Sequence, residues 1–303
     1  GLSVSTQGPV LLGVTGPRQR PKSGSSTSAQ NDWKKRRGTH RNHAVKPQSL
    51  SSSLSVDGTM GKTEIVQVIV NVRKLANVYS TNRPFPYIIL KNIWDENQLS
   101  AVADECENFT DWDEEKKFFG SVGKRSCSTF SKLPKNTLSL INFCHSSTFL
   151  NSLEILTGEV GLIPDPHLYG GGIHSTVNKG FLKMHVDFDW HARLRLRRRL
   201  NLLIYLNRDW RSSWGGALRL QGGGESDLVE IFPNFNKTVI FTTDDKSLHG
   251  HPEPMNLPGG RSRNSIALYY YVAENCDRLE SRKREMTQYF HADGSRYPDL
   301  KVQ

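Results

Sequence analysis

The sequence predicts an α+β fold: a jelly-roll core, built as a double-stranded β-helix, supported by helices from the N-terminal half. Two observations predict it. From about residue 168 the chain runs in short β-rich segments separated by Gly, Asn, Asp and Pro turns, the pattern of a jelly roll. Before that point, apolar residues recur mainly at helical spacing.

Taken in order, residues 64–77 and 95–108 read as helices. The second carries Asp95 and Glu96 in its first turn and Leu99, Val102 and Ala103 on one face, which suits packing against a sheet. Tyr87-Ile88-Ile89-Leu90 between them reads as a short buried strand. Residues 133–158 form another helical stretch, with Leu138, Leu140 and Ile141 followed by Leu150, Leu153, Ile155 and Leu156. The run Phe181 to Phe188 reads as a strand, because apolar residues dominate and neither Gly nor Pro interrupts it. Further strands are expected at 199–207, 238–243 and 263–271, and a charged helical segment at 277–287.

The chain divides into three parts: a basic, Ser/Gly/Pro-rich tail at 1–62, a folded domain at 63–291, and a C-terminal tail at 292–303. Of the net charge of +10, residues 1–60 hold nine basic against two acidic groups, or +7. The basic character therefore belongs to the tail, which lacks the apolar content to offset its ordering entropy and reads as disordered. Trp33-Lys34-Lys35-Arg36-Arg37 is a nucleic-acid patch or a solvated charge run, and the latter is favoured. Nucleic acid is expected only through this tail. Val10 to Val14 is too short for a signal core, and nothing approaches a membrane span. Cys106, Cys127, Cys144 and Cys276 are scattered without CxxC spacing. A structural zinc site and a disulfide framework are both disfavoured, and a reducing, cytoplasmic compartment is expected.

The chemistry centres on His185-Val186-Asp187. Strand residues two apart share a face, so His185 and Asp187 can grip one ion. Two imidazoles and a carboxylate are the set that leaves Fe(II) with open positions. His249, in Ser247-Leu248-His249-Gly250-His251-Pro252 after a β-rich run, is the best third ligand; His251 competes with it. Asp189 shares the parity of His185 and Asp187 and could ligate or support a ligand. Arg263 opens the apolar strand Arg263 to Tyr271. Its planar fork needs an anion there, either a protein carboxylate or a bound dicarboxylic acid.

With these residues in place, the chain resembles the Fe(II)/2-oxoglutarate-dependent dioxygenases, specifically the prolyl 4-hydroxylase-like branch. The resemblance runs from about Leu75 to about His291. It takes in Pro84 to Leu90, His185-Val186-Asp187, Arg199 to Asn207 with Asp209-Trp210, Trp214-Gly215-Gly216-Ala217-Leu218, the Ser-x-His segment and the Arg263 strand. It implies Fe(II) held by His185, Asp187 and His249, the Ser-x-His order favouring His249 over His251. It implies 2-oxoglutarate and O2 as co-substrates, ascorbate as an auxiliary reductant, and release of succinate and CO2 as an aliphatic C–H is hydroxylated. Arg263 falls where the family binds the distal carboxylate of 2-oxoglutarate. Tyr205 matches a position that hydrogen-bonds the same group, unless it is simply a core tyrosine, and Asn201 matches a small polar position on that strand.

The substrate is expected to be a prolyl residue, an amino acid or a small metabolite. Arg193, Arg195, Arg197, Arg198 and Arg199 follow the metal strand; they form either a basic rim for an anionic substrate or, more simply, a solvated connection. The tract from His167 to His174 has three glycines that permit close backbone approach, so Tyr169 or His174 could touch co-substrate or substrate. Two rival readings stand. An oxidative nucleic-acid demethylase would carry a second Arg six residues after Arg263, where this chain has Tyr269. A non-catalytic binding module would have no need of the intact His-Asp-His-Arg set. Asp187 also disfavours halogenation, since the related halogenases keep a small residue there.

Overall fold

The computed structural model describes residues 75–222, 227–273, 284, 286–291 and 294–297. The tail at 1–62 lies outside them, as do residues 64–74 of the expected first helix and nearly all of the expected helix at 277–287. Among the described residues four α-helices run along 75–81 (α1), Glu96–Glu107 (α2), Lys135–Cys144 (α3) and Ser147–Thr157 (α4). The strands are β1 (Tyr87–Lys91), β2 (Glu114–Phe118), β3 (Ser121–Cys127), β4 (Ile163–Pro164), β5 (Gly172–Val186), β6 (Trp190–His191) and β7 (Leu196–Tyr205). They continue with β8 (Leu218–Gln221), β9 (Leu228–Ile231), β10 (Lys237–Thr242), β11 (Leu248–His251), β12 (Arg263–Val272) and β13 (Gln288–Tyr289). No described helix is long and apolar enough to cross a membrane.

The 13 strands form one curled antiparallel sheet, ordered β1-β10-β7-β12-β5-β11-β8-β9, with β3 and β13 also on β5 and β2 on β3. This is the predicted double-stranded β-helix. β5 makes the curl. Its start pairs with β12 (Gly172 to Thr176), and its end pairs with β11 (Leu182, His185). The bend between them, at Val177–Gly180, leaves no room for a side chain at Gly180, where an added Cβ would lie 2.5 Å from Thr176 Cγ2.

The central strands bury both faces, so they read as continuous apolar runs. Leu200, Leu202 and Ile204 of β7 and Ile266, Leu268 and Tyr270 of β12 join a large core with Leu99, Val102, Ile141, Phe149 and Leu153 of the helices. The alternate residues Tyr205, Val239 and Phe241 face the barrel interior with Leu218, Leu220 and Ile231.

Two expectations are corrected here. The single helical stretch at 133–158 is two helices, because Ser146 breaks it. The Ser146 side chain accepts from Phe149 N as the N-cap of α4, and its hydroxyl donates to Phe143 O at 2.6 Å. The N-terminal half is also less purely helical than expected: β2 and β3 form a hairpin that docks on β5. The strand Glu114-Glu115-Lys116-Lys117-Phe118 is a charged sheet edge with no apolar alternation. At the C-terminal end, Tyr297 packs back on the domain and accepts a hydrogen bond from Lys183 Nζ at 2.6 Å.

Candidate metal centre

His185 lies near the end of β5, and Asp187 follows one residue beyond the strand. Antiparallel pairing places His249 of β11 directly opposite His185. One ligand atom from each of the three residues falls within a 4.8 Å cluster. His185 Nε2 lies 3.5 Å from Asp187 Oδ1, and His249 Nε2 lies 3.3 Å from Asp187 Oδ2.

Both rings are oriented from behind. His185 Nδ1 is 2.8 Å from Lys183 O, and His249 Nδ1 is 2.9 Å from Ser247 O. A carbonyl accepts only, so each Nδ1 carries the proton and each Nε2 lone pair faces Asp187. Burial, reinforced by His249, pushes the His185 imidazole toward its neutral, ligating form. All three side chains are buried. This donor set fits a divalent ion that retains open positions.

Close approach of β11 to β5 depends on Gly250, where an added Cβ would stand 2.7 Å from Lys183 O. The β5–β11 register shifts between His249 and His251, so His251 pairs with Leu182 and stays out of the ligand cluster. It is buried on the cavity wall, with Nδ1 unpartnered.

The carboxylate of Asp187 is held by residues of β7. Its Oδ2 accepts from Arg198 Nη2 at 2.9 Å and from Asn201 Nδ2 at 2.8 Å. Burial opposes the charged form, but the Arg198 guanidinium outweighs it and holds Asp187 well below the usual carboxylate range. Arg198 is only 1% exposed, with its guanidinium 3.3 Å from the Tyr269 ring centroid and 4.8 Å from that of Phe188.

Neither the rim nor the solvated reading of the arginine run describes this residue. Arg197 pairs with Asp189 at 2.9 Å, Arg199 pairs with Glu159 at 2.7 Å, and only Arg193 and Arg195 are exposed. A bulge explains the miss. Tyr270 pairs with Leu200 but Tyr271 with Arg198, so Arg199 is an extra residue and Arg198 turns to the Asn201 face. Simple alternation would have sent it the other way.

The remaining expected residues fall as follows. Asn201 sits on Asp187 and Arg198. Asp189 stays outside the ligand cluster; it accepts from Arg284 N at 2.7 Å, while Arg284 Nε donates to Asp187 O at 2.7 Å. It thus braces the backbone of a ligand and is not one itself. Tyr169 is 56% exposed and packs on Phe188 and His191, away from the cavity wall. His174 lines the cavity, with Nε2 3.0 Å from Gly170 O.

Arg263 and Tyr205 meet on the same inner face. Arg263 donates from Nε to Gly216 O at 2.8 Å and from Nη2 to Tyr205 OH at 3.2 Å. Its guanidinium is buried, and no carboxylate among the described residues pairs with it. One wall therefore carries a metal-ligand set and an uncompensated cation facing the same cavity. Lys124 of β3, which sequence reasoning did not single out, lines that cavity too.

Comparison with known proteins accords with this geometry. Residues 171–271 match the 2OG-Fe(II) oxygenase superfamily. No curated protein sequence matches the chain. Among solved structures, a Trichoplax adhaerens prolyl hydroxylase in complex with a peptide fragment of the hypoxia inducible factor oxygen degradation domain is similar at 18% identity. That match covers 70% of this chain and 94% of that one, with a TM-score of 0.52. A Pseudomonas putida prolyl-4-hydroxylase is similar at 14% identity, over 67% and 99% of the two chains, with a TM-score of 0.46. HygX from Streptomyces hygroscopicus, with nickel and 2-oxoglutarate bound, gives 12%, 71% and 96%, and 0.46.

Proposed function

We propose that this chain, whose residues 171–271 match the 2OG-Fe(II) oxygenase superfamily, is a 2-oxoglutarate-dependent hydroxylase of prolyl-hydroxylase type that oxidises an aliphatic C–H. The prolyl residue of a peptide is the first substrate class to test. The observation that carries this reading is the shared cavity of the His185-Asp187-His249 cluster and Arg263. Iron with 2-oxoglutarate supplies the oxidising power that no side chain has. His185, Asp187 and His249 would hold the metal, with Arg198 and Asn201 fixing the Asp187 carboxylate.

At the other end of the cavity, Arg263 and Tyr205 offer a buried cation and a hydroxyl to the distal carboxylate of the co-substrate. Leu182, Leu203 and Leu218 supply the apolar part of the cavity lining. The fold likeness to a peptide-bound prolyl hydroxylase supports a peptide substrate. The demethylase reading is weakened by Tyr269, whose ring stacks on Arg198 where a second arginine would be needed.

The test is succinate release from 2-oxoglutarate by Fe(II)-loaded protein, screened against proline-containing peptides, free amino acids and nucleotide sugars. Substrate-dependent succinate with a product 16 Da heavier is expected in the peptide arm. Turnover confined to another arm would move the substrate class, and iron binding without turnover in any arm would favour a binding module.

A further inference from the structure

The cavity holds more positive charge than one co-substrate arginine supplies. Across three neighbouring strands, Lys124 of β3 pairs with Thr176 of β5, and Thr176 pairs with Arg263 of β12. Two residues along the same strands, and therefore on the same face, Ser126 pairs with His174, His174 with Ser265, and Ser265 with Tyr205. Lys124 and Arg263 thus stand at the two ends of one row, with Thr176 between them and the Tyr205 row alongside. Lys124, Thr176, Arg263, His174 and Ser265 all line the cavity that contains the metal-ligand cluster.

Neither cation has a carboxylate partner among the described residues. Asp187, the acidic group of this cavity, is engaged by Arg198 and Asn201. On β2, Glu114 is paired with Lys116 at 3.7 Å. Two like charges that face one cavity, Arg263 buried and Lys124 half-buried, repel one another unless an anion joins them. A mono-cation site would need only Arg263, whose guanidinium is already anchored by Gly216 and Tyr205.

We propose that Lys124 is a second cationic residue for the distal carboxylate of the 2-oxo acid, sharing that group with Arg263; this rests on the co-substrate reading above. The hairpin β2–β3 then has a purpose beyond covering the sheet: it brings a positioning charge into the barrel from outside the segment matched to the superfamily, which starts at residue 171. Burial, followed by Lys116 and Arg263, pulls the Lys124 ammonium down to about 7, and a bound carboxylate would favour its charged form.

The experiment is calorimetric titration of the Ni(II)-loaded full chain with 2-oxoglutarate and with 2-oxopentanoate, which lacks the distal carboxylate. Wild type, K124M and K124R are compared, with metal affinity measured separately. K124M should lose about 10- to 100-fold in 2-oxoglutarate affinity, of the order seen when one partner of a buried charge pair is removed. It should bind 2-oxopentanoate and Ni(II) as wild type does, and K124R should recover much of the loss. Equal 2-oxoglutarate affinity in wild type and K124M overturns the proposal, as does an equal loss for both acids, which would mark Lys124 as structural. Failure of wild type to bind 2-oxoglutarate while binding Ni(II) would instead overturn the co-substrate reading, and this proposal with it. If K124M does not fold, K124Q and K124R carry the same comparison.

Discussion

At the residue scale, the centre depends on which groups of each side chain are already engaged. Both imidazoles spend Nδ1 on backbone carbonyls, so Nε2 is left for a metal. His249→Ala should abolish tight binding of a divalent ion, while His251→Ala should retain it, because the register shift keeps His251 out of the cluster. A metal titration in which the two variants exchange behaviour would overturn the ligand assignment. Arg198→Gln leaves the Asp187 carboxylate buried with one partner fewer, and should cost about 3 kcal/mol in urea unfolding. Adding Asp187→Asn to that variant should restore part of the loss. The buried histidines set a pH dependence. His174 and His251 are held well below the ordinary imidazole range, burial being the main cause. The unfolded chain therefore takes up protons that the folded one refuses, and stability is complete above about pH 6.5. As pH falls below that value, the apo protein should lose about 1.4 kcal/mol per pH unit for each of the two groups. His251→Asn should make the decline visibly shallower in urea unfolding between pH 6.5 and 5.

At the element scale, β-strand pairing assembles the site and a few irregularities aim it. Gly250 lets β11 lie against β5, and a methyl group there meets Lys183 O. Gly250→Ala should weaken metal binding at least tenfold and destabilise the fold by about 1–3 kcal/mol, measured by metal titration and urea unfolding. The bulge at Arg199 is the other device, turning Arg198 toward Asp187. These features decide how much could be read in advance. Helix α2 was legible because Asp95 caps it, accepting from Gln98 N at 2.8 Å, and its apolar face recurs at helical spacing. β12 was legible because Ile266 and the run Tyr269-Tyr270-Tyr271-Val272 are β-formers and neither Gly nor Pro interrupts it. The β2–β3 hairpin was not, because its outer strand has no apolar alternation. Arg198 was hidden for a related reason: within an arginine-rich run, one inward residue is revealed only by the pairing of its neighbours.

At the scale of the whole molecule, one curled sheet carries the candidate ligands His185 on β5 and His249 on β11, with Asp187 just past β5, and the cations on β3 and β12, so metal binding should couple to folding. Ni(II) with 2-oxoglutarate at about 100 times its dissociation constant should add about 2.7 kcal/mol of stability over the metal-loaded protein; a thermal shift absent with 2-oxoglutarate but present with the metal would argue against the co-substrate site. The sequence by itself determined the His185-x-Asp187 pair on one strand face, the β-rich second half and the position of Arg263 on an apolar strand. These are matters of residue type, short spacing and local periodicity. Only the tertiary structure decided that His249 and not His251 faces His185, that Asn201 and Arg198 grip Asp187, and that Lys124 shares a row with Arg263. Each of those outcomes depends on the register between strands distant in sequence, and burial of both sheet faces fixes that register for the sheet as a whole.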